Sequence, residues 1–406
     1  MLRRGGYGQK LAYRFGNWPR LAPKRTRNKR IWIQAVSVGE ASSLSKILPS
    51  LSRMENTEVI LSGTTSTGLS YADKKFGDYL LANGPFPLDW FPFSKKAWDR
   101  IDPDLVIMVD SELWPEHFQQ AHLRNVPILI INARLSDRSF ARLQKFKAFH
   151  KLVFPSNLSV ITASERQAKR WLKLGFDEQN IFPSGNLKID AVSKKPFGLL
   201  EKKQLIEEFG FDENSIILAG ISTWHKEEKL LVEIVQSLRL EGIDVRLLLI
   251  PRHAERRHDV IKTLQTCQLP FHVRTQRKKA ESGNIVYLAD TTGELAWLIR
   301  VAAFAFMGKT LPPNHGGQNP IEPIAFGIPL VVGPNYQNFR ETCHDMFLHH
   351  AAIESKDASD VTRQLMILAK DRKLREKAGN ACKNWIQKQG SPSEFTLNTI
   401  EQILGR

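Results

Sequence analysis

Two acidic residues in the first half of the chain stand where a proton-transferring carboxylate would be useful. Ser37-Val38-Gly39-Glu40 closes an apolar run and opens an amphipathic one, and Asp110-Ser111-Glu112-Leu113-Trp114-Pro115 follows a second apolar run. Ser37 and Glu40 have capping-box spacing, in which hydroxyl and carboxylate satisfy free amides at a helix start. At the carboxyl end of a strand, beside a glycine that permits close approach, the same carboxylate can act as a general base once partly desolvated. Glu112 either neutralises local charge or positions such a base.

The second half offers groups suited to an anion. Ser222 and Thr223, in Gly220-Ile221-Ser222-Thr223-Trp224-His225, follow an apolar run and precede a helical pattern, so hydroxyls and free amides fall where a phosphate could rest. Arg252 and His253 end the next apolar run, either as a plain charged turn or as contacts to a phosphate or a base edge. In Asn314-His315-Gly316-Gly317-Gln318-Asn319-Pro320-Ile321-Glu322-Pro323, two glycines precede Asn319 as N-cap and Pro320 as first helical residue. That order predicts an exposed helix start with a positive dipole end. Glu322 is then a capping partner or an acceptor for ribose hydroxyls.

Other signals fail. Gly308-Lys309-Thr310 resembles the end of a P-loop, but the required first glycine is Ala303, and Leu311-Pro312-Pro313 follows where a helix should begin. Asp102-Pro103-Asp104 precedes its strand and reads as a turn, not a metal pair. No Gly-x-Gly-x-x-Gly opens the first turn for a dinucleotide. Cys267, Cys343 and Cys382 have neither metal nor redox spacing, so no metal or cofactor is expected and a reducing, cytoplasmic setting fits best. No apolar run is long enough to span a bilayer. The formal charge of +16 points to an anionic partner. Arg3, Arg4, Lys10, Arg14, Arg20, Lys24, Arg25, Arg27, Lys29 and Arg30, interleaved with Tyr7, Tyr13, Phe15 and Trp18 and with no acid before Glu40, suit an anionic lipid surface, a solvated arm or an RNA-binding one.

The elements that must position these groups alternate between β-branched runs and amphipathic stretches. Runs 31–38, 59–63, 105–110, 128–132 and 160–163 are followed by a polar lapse near residues 188–198. The rhythm then restarts with 216–220, 245–251, 285–289, 302–307 and 328–332. This is the pattern of parallel βαβ units. It predicts an α/β chain of two doubly wound, Rossmann-like domains, 1–190 and 191–406, facing across a cleft, with ligands at the carboxyl ends of strands. The tail is helical in pattern, broken at Gly390-Ser391-Pro392.

With these residues assembled, the sequence resembles the family of 3-deoxy-D-manno-octulosonic acid (Kdo) transferases, which attach Kdo to the lipid A precursor in Gram-negative bacteria. The resemblance runs through Arg3-Arg4-Gly5, Ser37-Val38-Gly39-Glu40, Glu112-Leu113-Trp114-Pro115, Asn132-Ala133-Arg134-Leu135-Ser136, Gly185-Asn186-Leu187-Lys188, Pro251-Arg252-His253, Thr292-Gly293-Glu294-Leu295, Gly316 to Pro323, and Asn338-Phe339-Arg340-Glu341. It implies a GT-B architecture, CMP-Kdo as donor, transfer with inversion, and no metal or cofactor. It also implies Glu40 as catalytic base, Glu112 as a second essential carboxylate, and a donor site drawn from Ser222, Thr223, Arg252, His253, Gly316, Gly317, Asn319 and Glu322 with Lys188 as a further cation. Arg3, Arg4, Arg134 and Arg138 would approach the acylated lipid A precursor and the anionic inner-membrane surface, giving a peripheral protein on the cytoplasmic face that needs no nucleic acid.

Departures from the family pattern are local. Gly308-Lys309-Thr310 replaces a usual Gly-Gly-Ser, and Trp224 is inserted between Thr223 and His225. The chain starts almost at the Arg3-Arg4 landmark, so membrane attachment is expected to rest on the basic first thirty residues. The competing readings are a GT-B transferase using a UDP-sugar and a non-catalytic basic protein that binds membrane or RNA. The latter explains neither the paired carboxylates nor the glycine-rich turn, and no RNP-like aromatic motif appears.

Overall fold

The computed structural model describes residues 8–25, 27–110, 112–145, 154–155, 157–192, 196–277 and 279–405. They form two compact units, one of residues 1–191 with 389–406 and one of residues 192–388. The expected boundary at 190/191 differs by one residue, but the end of the chain was assigned to the wrong unit. The helix Pro392–Ile403 belongs to the first unit, because Ile400 and Leu404 pack into the same apolar cluster as Leu44, Leu48 and Ile161. Ser393 also donates its amide to the buried Asp190 carboxylate at 2.7 Å.

The first unit is built on seven strands: β1 (Lys29–Gln34), β2 (Thr57–Gly63), β3 (Ala82–Pro85), β4 (Leu105–Val109), β5 (Ile128–Ala133), β6 (Leu158–Thr162) and β7 (Ile181–Pro183). They lie in the order β3-β2-β1-β4-β5-β6-β7, with parallel pairings throughout. β4 and β5 are apolar along nearly their whole length because helices cover both faces of a parallel sheet. β1 is where the order reverses: β2 lies on one side, β4 on the other. In doubly wound sheets the crevice outside that point takes ligands.

The second unit repeats the plan with β8 (Ile216–Thr223), β9 (Val245–Pro251), β10 (Phe271–Val273), β11 (Val286–Leu288), β12 (Phe304–Met307), β13 (Leu330–Val332) and β14 (Ala352–Glu354). The order is β10-β11-β9-β8-β12-β13-β14, again parallel throughout. The reversal falls between β8 and β12. Among the described residues no helix is long and apolar enough to cross a membrane.

Candidate active site

Glu40 lies one turn beyond β1, in the helix Val38–Ser43 that Ser37 caps. Its carboxylate does not take the Ser37 amide of a standard capping box. Oε2 accepts the Val36 amide at 2.6 Å, and Oε1 accepts the Ser37 hydroxyl at 3.2 Å. The turn is itself held from β2's end, where Thr65 donates its amide at 3.0 Å and its hydroxyl at 2.9 Å to the Val36 carbonyl. Gly68 allows this approach, since a Cβ there would lie 3.1 Å from the Ser37 carbonyl carbon. Over Gly39 the space is open, the nearest atom to an added Cβ being Ser37 Oγ at 3.8 Å.

Around Glu40 the strand ends bring together charges far apart in sequence. Asp110, in the left-handed region with φ 62°, closes β4. Arg134 donates to its Oδ2 at 2.8 Å and Asn132 donates to its Oδ1. Asn132 is likewise left-handed, with φ 54°, at the irregularity where the β5–β6 register shifts between Ile130 and Ala133. Such bulges re-aim side chains at strand ends. Asn132 Oδ1 also accepts the Leu187 amide at 3.1 Å, which fixes the turn carrying Lys188. Glu112 accepts the Trp114 indole N–H at 2.8 Å and is further held by the buried Gln34.

The electrostatics of this cluster favour a base. Burial, then the negative charge of Asp110, push the Glu40 carboxyl up to about 7 against the Val36 amide, with Glu112 adding to the rise. Burial raises Glu112 as well. Lys188 is lowered by burial and by Arg134, while Asp110 and Glu40 oppose the shift. A carboxylate with a raised pKa at a strand-end crevice is poised for proton transfer near neutrality.

Of the residues expected to meet the acceptor, Arg134 is tied to Asp110, and Arg138 is exposed on the helix Asp137–Lys145. Arg3 and Arg4 lie outside the described residues. Lys188, expected among the donor groups, sits in the first unit with Glu40, Asp110 and Arg134.

In the second unit the expected donor residues converge at the ends of β8, β9 and β12. Ser222 is left-handed, with φ 52°, at the bulge where the β8–β9 register shifts between Ile221 and Thr223. The Arg252 amide donates to the Thr223 carbonyl at 3.1 Å, and the His253 ring meets the Trp224 ring edge-on, centroids 5.2 Å apart. Gly316 and Gly317, with φ 109° and 73°, form a strap in which the Gly317 amide donates to the Lys309 carbonyl at 3.0 Å and the Gly316 amide to Gln337 Oε1 at 3.0 Å.

The helix start beyond the strap differs from the expectation. The helix is Ile321–Ala325, only five residues, with Pro320 at its N-cap rather than at the first helical position. Asn319 still caps through its side chain, accepting the Ile321 amide at 3.2 Å and donating to Glu322 Oε1 at 3.3 Å. So short a helix has little dipole, and the local positive charge is Arg252, whose field opposes the burial-driven rise of the Glu322 carboxyl.

Three pieces of this site escaped the sequence reading. Asp110 stood inside a quoted motif but carried no role. Lys309 reads in the sequence as part of a failed P-loop and Trp224 as an insertion, neither with a role of its own. Glu227 is 1% exposed and accepts four amides: Trp224 at 2.9 Å, Lys309 at 2.8 Å, Thr310 at 2.9 Å and Leu311 at 3.1 Å. It staples the β8 and β12 turns together, yet in sequence it looks like any acid in a first helical turn. Asp102 and Asp104 are taken by Lys24, 3.0 Å from each, as a structural triad. Among the described residues no group of three or more His, Cys, Asp or Glu is arranged to hold a metal ion.

Residues 9–191 match the family described as 3-Deoxy-D-manno-octulosonic-acid transferase (kdotransferase). The chain is 31% identical over 404 residues to the 3-deoxy-D-manno-octulosonic acid transferase of Haemophilus influenzae, covering 98% of this chain and 92% of that one. It is 28% identical over 380 residues to the Rickettsia prowazekii protein of the same name, covering 92% and 80%. Its fold is similar to that of UDP-GlcNAc 2-epimerase from Neisseria meningitidis, with TM-score 0.61, 14% identity, and coverage of 92% of this chain and 100% of that one. Two parallel seven-stranded, doubly wound units of this kind are the α/β plan of the GT-B glycosyltransferases.

Proposed function

Because the chain belongs to the 3-deoxy-D-manno-octulosonic acid transferases, glycosyltransferases of lipopolysaccharide biosynthesis, we propose that it transfers Kdo from CMP-Kdo to an acylated lipid A precursor with inversion, using Glu40 as general base. The observation that carries this reading is the Glu40 carboxyl, raised to about 7 at the point where the first sheet reverses. The ionised carboxylate takes the proton from an acceptor hydroxyl as that oxygen bonds to the anomeric carbon, and the bond to the CMP phosphate breaks with its electron pair leaving on phosphate. A positioned base of this kind contributes about 10²–10⁴-fold in rate. Asp110 and Glu112 keep Glu40 basic, and Lys188 and Arg134 balance the cluster's negative charge.

The donor is assigned to the second unit. Ser222 offers a hydroxyl, the Gly316–Gly317 strap keeps side chains out of the turn, Arg252 and His253 offer positive charge or N–H, and Asn319 and Glu322 offer acceptors for ribose hydroxyls, while Thr223, also expected there, is fully buried. No metal or cofactor is invoked. The protein is read as peripheral on the cytoplasmic face of the inner membrane, attached through an aromatic surface of the first unit. There Trp90 is 63% and Phe91 53% exposed, and Phe93 meets both the Trp90 ring and the exposed Phe15 ring edge-on.

Incubation with CMP-Kdo and tetraacylated lipid A precursor, followed by mass spectrometry of the lipid, tests the reading. Addition of Kdo by wild type, nearly lost in Glu40→Gln, supports it. Consumption of a UDP-sugar in place of CMP-Kdo overturns it.

A further inference from the structure

The turns at the ends of β8 and β12 are packed so closely that only glycine fits at position 308. An added Cβ would lie 2.2 Å from the Ser222 carbonyl oxygen. The next residue, Lys309, adopts a left-handed backbone with φ 63°, a conformation that glycine or asparagine takes with far less strain. The consequence is that its side chain lies over the Trp224 ring, Nζ 4.7 Å from the ring centre. His253, from the end of β9, packs edge-on against the same ring. The stack joins three strand ends through residues separated by 29 and 56 positions, counted from 224 to 253 and from 253 to 309.

The polar groups here are incompletely satisfied. Among the described residues no carboxylate pairs with Lys309. Thr223 Oγ1 is fully buried and, like the Trp224 indole N–H, has no hydrogen-bond partner. Of the two buried carboxylates at the turn, Glu227 is already occupied by four amides, the Lys309 amide among them, and Glu228 pairs with Arg256 at 2.8 Å. An ammonium group held by an aromatic face and given no anion of its own is arranged to receive one. β8 and β12 are adjacent parallel strands at the reversal of the second sheet, where doubly wound units take nucleotide ligands.

We propose that Lys309, held over Trp224 with His253 on the same ring, is the cation that contacts the phosphate of the nucleotide donor. Trp224 acts through it as a positioning residue. The inference rests on the reading of the second unit as the donor half, and it supplies that site with a positive charge that the five-residue helix at Ile321 does not provide.

Calorimetric titration of the full chain with two pairs, CMP against cytidine and UDP against uridine, tests this. Lys309→Gly suits the left-handed backbone while removing the ammonium, and Lys309→Arg restores a cation. Wild type should bind CMP more tightly than cytidine. Lys309→Gly should lose about tenfold or more of CMP affinity, the value of a charge-assisted hydrogen bond. Its cytidine affinity and melting temperature should stay put, and Lys309→Arg should recover most of the loss. If the variant leaves the nucleotide-to-nucleoside ratio unchanged, or lowers both affinities equally, Lys309 is only packing and the proposal fails. It fails too if wild type favours neither nucleotide over its nucleoside. If UDP binds and CMP does not, the CMP-Kdo reading falls, while Lys309 is judged on the UDP-to-uridine ratio.

Discussion

Asp110, left-handed at the end of β4, is the charge that bears most on Glu40 beyond the end of β1. The two belong to adjacent strands on either side of the sheet's reversal, and Asp110 is held there by Arg134 and Asn132. Replacing it should therefore be read in the pH dependence of the reaction. With Glu40 near 7, activity should fall as pH drops below about 7, because the protonated carboxyl cannot accept the acceptor's proton. Asp110→Asn removes a charge that raises Glu40, so the acid limb of kcat/KM should move to lower pH. A limb that stays in place would separate Asp110 from the titration of Glu40.

Glu40→Gln should lower turnover by about 10²–10⁴-fold while leaving nucleotide binding intact. It should also change stability in a direction that separates base from cap. The folded carboxyl, near 7, lies above the ordinary value of 4.5, so its contribution to stability is full below about 4.5 and is lost as pH rises through 7. Glutamine does not titrate and can still accept the Val36 amide. The variant should thus melt higher than wild type at pH 8, with the advantage shrinking toward pH 5. A lower melting temperature at pH 8 would mean that Glu40 serves chiefly as a helix cap.

What could be read in the sequence divides along a physical line. Interior strands such as β4, β5 and β9 are buried on both faces, so their residues form apolar β-branched runs that stand out. β3, β7, β10 and β14 were not anticipated, and they are the four edges of the two sheets. Each has three or four residues, and Ala82–Pro85 and Ile181–Pro183 end in proline, which an edge tolerates and an interior strand does not. The same division holds in the site. Glu40, Glu112, Ser222 and Arg252 follow long strands and could be placed from the pattern. The tuning of Glu40 by Asp110, the bulges at Asn132 and Ser222, and the burial of Glu227 depend on which strands become neighbours, which no local pattern encodes.

The donor turn should be intolerant of the smallest enlargement. Gly308→Ala places a Cβ 2.2 Å from the Ser222 carbonyl and 2.6 Å from the Thr223 Cα, both backbone atoms of a turn stapled by Glu227. Overpacking of this kind costs about 1–3 kcal/mol or more. The melting temperature should fall by several degrees, and CMP affinity measured well below it should fall as well. Unchanged CMP affinity would place the donor elsewhere. Glu322→Ala should likewise weaken CMP-Kdo binding more than acceptor binding, and equal weakening of both would return Glu322 to a capping role.

The sequence expectation rests membrane attachment on the basic first thirty residues, and within residues 24–30 the structure divides that set. Arg30 is 2% exposed within β1, pairing with Glu58 at 2.7 Å and donating to the Ile101 carbonyl at 2.7 Å. Lys24 bridges Asp102 and Asp104. Neither is a free charge for a lipid surface, whereas Trp90 and Phe91 stand exposed on an aromatic cluster. Arg30→Gln should accordingly destabilise the first unit by roughly 3 kcal/mol, the cost of leaving a paired carboxylate without its cation, and should leave vesicle binding of the folded protein unchanged. Trp90→Ser with Phe91→Ser should do the reverse, reducing co-sedimentation with anionic vesicles even at high salt, where attraction between exposed charges is screened within about 3 Å at 1 M. If binding disappears with salt alone and the aromatic substitutions have no effect, attachment is electrostatic, and the exposed Arg25 and Arg27 become the residues to replace next.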